Sequence, residues 1–119
     1  MEAAPRDEVL RAGRLELRPA DGMVLAAGRP LTLSVREFRL LVELARRPDR
    51  IVPREQLYAV AWEGDLRPGD RSVDVYVHKL RDKLEAALPE WRFIHTHIGF
   101  GYRFSAEPSR GFHTDATGR

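Results

Sequence analysis

No cysteine occurs in the 119 residues, which excludes disulfides, thiolate metal sites and cysteine nucleophiles. No apolar run approaches the roughly 18 residues that read as a membrane-spanning helix. The N-terminal MEAAPRDEV also lacks the basic-then-apolar order of a signal peptide, so a soluble cytoplasmic chain is the expectation. Lysine is scarce. Eighteen of the twenty basic residues are arginine, which suits phosphate forks and equally reflects a GC-rich genome. An excess of one charge is missing too: a formal net charge of +2 is a weak argument for a polyanionic partner, so the distribution of charge must carry it. A Gly-rich phosphate loop, a Gly-x-Ser-x-Gly elbow and an internal repeat are all absent, and neither enzymatic activity nor a cofactor is expected.

What is present, 43% apolar residues in a short chain, allows one modest core and a single domain. Residues 1–13 are polar, contain Pro5 and show no sustained period, so they read as a linker or the end of an upstream segment. Leu15 and Leu17, then Met23 to Leu25, then Leu31 and Leu33 alternate between Asp21-Gly22 and Gly28-Arg29, predicting a small antiparallel sheet. Ser34-Val35-Arg36-Glu37 is a capping box, and the helix it opens carries Phe38, Leu41, Val42 and Ala45 on one face before Pro48. Ile51-Val52 is extended. Pro53 suits the first turn of a second helix that buries Leu57, Val60 and Ala61. Glu63 to Asp70 is a polar loop, with Asp70 as N-cap of a third helix. Two strands, Trp91 to Ile98 and Tyr102 to Phe104, enclose Gly99-Phe100-Gly101 as a terminal hairpin, and 105–119 reads as a disordered tail.

The third helix, RSVDVYVHKLRDKL at 71–84, is the most informative stretch. Val73, Val77, Leu80 and Leu84 fall in one narrow sector, with Ser72, Val75 and Lys79 opposite and Arg71, Tyr76, His78, Asp82 and Lys83 flanking them. Small, apolar, cationic and hydrogen-bonding groups thus line a rod that the DNA major groove admits. An ordinary solvated amphipathic helix has the same pattern. The hairpin that follows distinguishes the two, because three helices with a Gly-turned hairpin make a winged helix-turn-helix.

Together SVREFRLLVELARRP, PREQLYAVAW, RSVDVYVHKLRDKL and IHTHIGFGYRF resemble the DNA-binding effector domain of OmpR/PhoB-family response regulators of bacterial two-component systems, over about residues 14–104. The resemblance implies an α+β fold: a four-stranded N-terminal sheet, three helices and a C-terminal hairpin, with the third helix in the major groove and wing 97–101 at the minor groove. It also implies sequence-specific binding to double-stranded DNA, as a dimer on tandem half-sites. Base-facing positions match Val75, Tyr76, His78 and Lys79. Thr96 matches a phosphate contact. Pro53 and Arg54 sit where the start of the second helix can face a phosphate, and Arg71 and Ser72, at the start of the third, are further DNA-contact candidates. Arg81 matches a backbone-contacting position and stands between phosphate contact and an internal salt bridge; Asp74 can pair with it or with His78. Ile98 stands where many members place a minor-groove arginine, which shifts that readout toward His97 or Arg103. The loop carrying Glu63, Asp65, Arg67 and Asp70 is, by the same resemblance, a candidate contact with RNA polymerase. No receiver segment is recognisable, so no phosphoacceptor aspartate is named.

Two rival functions compete with this reading. His95 and His97 lie two apart on a strand and can share a face, as metal ligands must, yet no cysteine accompanies them and no metal is expected. A winged helix can also serve as a protein-interaction module without DNA. A basic strip around one central valine fits phosphate-lined DNA better than an apolar interface core.

Overall fold

The computed structural model describes residues 8–109. Four short strands, β1 (Leu10–Ala12), β2 (Leu15–Arg18), β3 (Met23–Ala26) and β4 (Arg29–Pro30), form an antiparallel meander in chain order, with a 3₁₀ turn at Pro19–Asp21. Alternation does the sorting: Leu15, Leu17, Val24 and Ala26 turn inward while their neighbours stay wetter. Three helices follow, α1 (Val35–Ala45), α2 (Arg54–Trp62) and α3 (Ser72–Ala87). The chain closes with β6 (Trp91–His97) and β7 (Gly101–Pro108), which pair as a hairpin and take β5 (Ile51–Val52) as a third strand in the order β5-β7-β6.

Helix α1 is the hub, packed against α2, α3 and β7. Its start is fixed locally by the capping box: Ser34 Oγ accepts from the Glu37 amide at 3.1 Å and Glu37 Oε1 accepts from the Ser34 amide at 2.8 Å. Being central, α1 buries more than the one face its sequence suggested. Leu40 and Leu44 are fully enclosed along with Leu41, Val42 and Ala45, while Phe38 is only partly covered. Each fully buried leucine contributes about 1.5–3 kcal/mol. Two glutamates go inside with them. Glu43 survives burial by accepting from Arg47 Nε at 2.9 Å and Gln56 Nε2 at 2.6 Å.

Several expected boundaries are corrected. Residues 10–12, placed in a linker, are a strand whose Leu10 pairs with Leu17; three residues are too few to show a period. The final strand continues through Pro108 rather than ending at Phe104, because Trp91 and Arg92 pair with Pro108 and Glu107. Of the residues expected to be linker and tail, 1–7 and 110–119 lie outside the described residues. Leu31 and Leu33 follow β4 instead of forming a strand, although the Leu31 amide still donates to Val24 O at 2.9 Å. Pro53 precedes α2, in the N-cap position, and Val60 is half-buried.

Gly101 joins the wing to the helices. Its φ is +143°, and a Cβ there would lie 2.1 Å from the Val52 carbonyl oxygen and 3.0 Å from Pro53 Cα. Only glycine allows β7 to begin against the β5–α2 junction. The root of the wing is therefore held beside the N-terminus of α2.

Candidate nucleic-acid interface

Helix α3 buries the stripe its spacing predicts: Val73, Val77, Leu80 and Leu84 are all enclosed. Arg71, Val75, His78, Lys79 and Asp82 are exposed on the opposite side, Val75 at 48%. The helix begins one residue later than a cap at Asp70 would set it. Arg71 takes the N-cap position without a side-chain capping bond, and Asp70 Oδ1 accepts from the Ser72 amide at 2.8 Å and Ser72 Oγ at 2.6 Å. Those bonds hold the Asp70 carboxyl below the ordinary aspartate range, keeping a negative charge at the positive end of the helix. Ser72 is thereby tied to the loop.

On the flank facing the wing, Asp74 organises three side chains. It lies 3.4 Å from Arg54 Nη2 and 3.3 Å from Arg71 Nε, and it accepts a hydrogen bond from Tyr102 OH. The expected partners of Asp74, His78 and Arg81, are engaged elsewhere. His78 Nε2 faces Asp82 at 3.5 Å. Arg81 makes no internal salt bridge among the described residues: it donates to Ile94 O at 3.0 and 3.1 Å and to Thr96 Oγ1 at 2.6 Å, with its guanidinium 5.6 Å from the Tyr102 ring centroid. Burial lowers the Arg81 pKa without approaching neutrality. Burial and the Asp74 bond push the Tyr102 phenol up to about 12. Arg81 and Thr96 therefore clasp α3 to β6. Arg54 Nε is buried and has no hydrogen-bond partner among the described residues, so this guanidinium is only half satisfied.

The other flank of α3 turns toward α1 and α2. Tyr76, expected to face bases, is partly buried edge-on to Trp62, with centroids 5.2 Å apart; Trp62 stacks on Tyr58 and carries Arg36 over its ring at 5.0 Å. Its azimuth explains this: Tyr76 follows Val75 by 100° and so swings back to the core edge. Lys83 is also withdrawn, its Nζ 2.7 Å from the enclosed Glu37 Oε1. Burial raises the Glu37 pKa, but the bonds from Lys83 and Ser34 outweigh it and leave the carboxyl below its ordinary value. Lys79 remains exposed with Nζ 4.7 Å from the Tyr76 centroid. In the loop from Glu63 to Asp70, Glu63 pairs with Arg39 at 3.2 Å, while Asp65 and Arg67 are exposed.

At the wing, His97, Ile98, Gly99 and Phe100 form a turn in which the Phe100 amide donates to His97 O at 2.9 Å and Gly99 takes φ +84°. Ile98 is 90% exposed, so packing inside the hairpin is excluded. Phe100 is 72% exposed and was missed as a surface residue. Its signal was available: an apolar residue between two glycines in a three-residue hairpin loop has no core to turn into. The two alternative minor-groove residues face each other, Arg103 Nε donating to His97 Nε2 at 3.0 Å. Arg103 also lies 3.5 Å from Glu107 and 3.9 Å from Asp49. His95 Nε2 is 2.9 Å from Ser105 O.

Three helices with a β-hairpin clasped to the third define a winged helix-turn-helix. Residues 28–104 match the family model described as "Transcriptional regulatory protein, C terminal". The chain belongs to that family, the C-terminal domains of OmpR/PhoB-type regulators. It is 39% identical over 102 residues to the alkaline phosphatase synthesis transcriptional regulatory protein SphR of Synechococcus elongatus, covering 86% of this chain and 40% of SphR. With the phosphate regulon regulator PhoB of Escherichia coli K12 it shares 37% identity over 99 residues, covering 83% and 43%. The chain thus spans about two fifths of the length of these relatives. Among solved structures, the Klebsiella pneumoniae RstA DNA-binding domain in complex with the RstA box matches with TM-score 0.74 at 32% identity, covering 82% of this chain and 97% of that one. The DNA-binding domain of CpxR from E. coli matches with TM-score 0.77 at 30% identity, covering 85% and 100%.

Proposed function

We propose that this chain is the DNA-reading part of a transcriptional regulator, with α3 in the major groove and the wing at the minor groove of double-stranded DNA. The observation that carries the proposal is the exposed strip Arg71, Val75, His78 and Lys79 on the side of α3 opposite its buried stripe. Lys79 can donate to guanine O6 and N7, Val75 can rest on a thymine methyl, and His78 can donate or accept. Arg54 and Arg71 share one carboxylate, which leaves guanidinium donors for phosphate. Thr96 has a hydroxyl proton to offer a phosphate while its oxygen accepts from Arg81. One helix reads too few base pairs for high specificity, so two copies on tandem half-sites are proposed. The same reading puts the chain in the bacterial cytoplasm, and no helix among the described residues is long and apolar enough to cross a membrane. The exposed Asp65 and Arg67 offer charged handles to RNA polymerase.

The test is gel retardation of duplexes selected from a random pool, followed by footprinting. Binding should weaken steeply with salt, and protection should cover two half-sites about one helical turn apart. Salt-insensitive retardation, or none on any selected duplex, would turn the reading toward a protein partner.

A further inference from the structure

The wing tip is the most apolar exposed point of the described molecule. Ile98 and Phe100 flank Gly99 at 90% and 72% exposure. Directly behind them, Gly101 abuts the start of α2, and Tyr102 is bonded to Asp74, the residue that also holds Arg54 and Arg71. The hairpin that carries the tip is therefore joined at its root to the flank of α3, through the carboxylate that also holds Arg71 of the outer strip. It is also rigidly backed, because Arg81 ties β6 to α3 at both Ile94 and Thr96.

We infer that Ile98 and Phe100 act as an apolar wedge that enters the minor groove and partly unstacks a base step beside each half-site. This rests on the DNA-binding reading and adds a mode of contact to it. Two observations favour DNA as the occupant over another protein. Two side chains on one tight turn offer far less than the roughly 800 Å² per partner of a stable protein interface. And the paired strands of the wing, about 4.8 Å apart between backbones, are too bulky to sink into a minor groove about 6 Å wide, so only projecting tip side chains can reach the base step. Apolar wedges of this kind gain free energy by burying their surface against base faces and are favoured at flexible pyrimidine–purine steps. The chemistry at the tip fits this better than phosphate neutralisation, since its nearest strand cation, Arg103, is already paired with Glu107 and bonded to His97.

The experiment uses a selected duplex with 2-aminopurine placed in turn at each step flanking the half-site. Wild-type protein should brighten the probe at one step. Ile98→Ala/Phe100→Ala should abolish that signal, lower affinity about tenfold, keep the α3 footprint, and melt at the wild-type temperature because neither side chain is packed. A probe that stays dark at every position under saturating wild-type protein overturns the wedge while leaving DNA binding intact. A double variant that retains the probe signal but loses cooperative filling of tandem sites overturns it in favour of contact between copies. If wild-type protein retards no selected duplex, the DNA reading itself fails, and the wedge with it.

Discussion

The two flanks of α3 and its outer strip are built from the same kinds of residue and put them to opposite uses. On the flanks, Asp74, Arg81 and Lys83 are polar or charged, yet each is bonded within the domain, to Tyr102 and two arginines, to Ile94 and Thr96, or to Glu37. On the strip, Arg71, Val75, His78 and Lys79 are exposed. The difference teaches that helical azimuth decides exposure here more than residue type does. Arg81 and Lys83, within about 90° of the apolar stripe, reach acceptors at the core edge, whereas Arg71 and Lys79 lie beyond it and stay exposed, even though Arg71 meets Asp74.

Asp74→Ala should break this contrast most severely. It removes the acceptor for Tyr102 and the partner of a half-buried Arg54, so stability should fall by about 2–3 kcal/mol in denaturant titration, and DNA affinity should fall with it as Arg54 and Arg71 lose their common carboxylate. Undiminished stability would show that the cluster is ornamental. Arg81→Met should cost about 1–2 kcal/mol through loss of the clasp between α3 and β6, partly offset by its retained aliphatic stem.

Two ionisations sharpen the same comparison. The Glu37 pKa is depressed in the folded state, so its contribution is present above the ordinary value of 4.5 and is lost as pH falls through the lower folded value. Glu37→Gln should flatten the stability profile in that acid window. Tyr102 behaves in the opposite sense: raised to about 12 from 10.0, it contributes stability below pH 10 that disappears as pH climbs through 12. Tyr102→Phe should remove this alkaline component, and absorbance titration should find one late phenol that the variant lacks. The smallest stability effect belongs to the wing. Ile98→Arg should leave stability within about 0.5 kcal/mol of wild type, since the site is open, while steepening the salt dependence of DNA binding by about one counterion.

The parts of this arrangement that were legible in the sequence are those set by local chemistry. The capping box at Ser34 and the stripe Val73, Val77, Leu80 and Leu84 depend on residues within a few turns, and both appear where their spacing puts them. Tyr102 and Phe104 alternate with Arg103 along their strand, as inward-facing aromatics do, and both are buried. What escaped were pairings over long sequence separation. Lys83 looked like part of a DNA-facing strip because Glu37, 46 residues away, is invisible to periodicity, and the same holds for Arg81 and Thr96, 15 residues apart. Strand β1 escaped for a different reason, being defined only by its neighbour β2. At the wing tip Phe100 was read only as part of the turn, although its place between two glycines leaves it no core to enter, as the pairing of His97 with Gly101 bears out.

The central claim, that the outer strip of α3 reads sequence while the flanks only build the fold, is tested most directly by Lys79→Ala measured on a selected site and on its single-base-pair variants. The variant should melt as wild type does, lose about 1–3 kcal/mol on the preferred site, and lose discrimination at one base pair only. Equal weakening on every duplex would make Lys79 a phosphate contact, and undiminished affinity on all of them would contradict the docking of this helix face in the major groove.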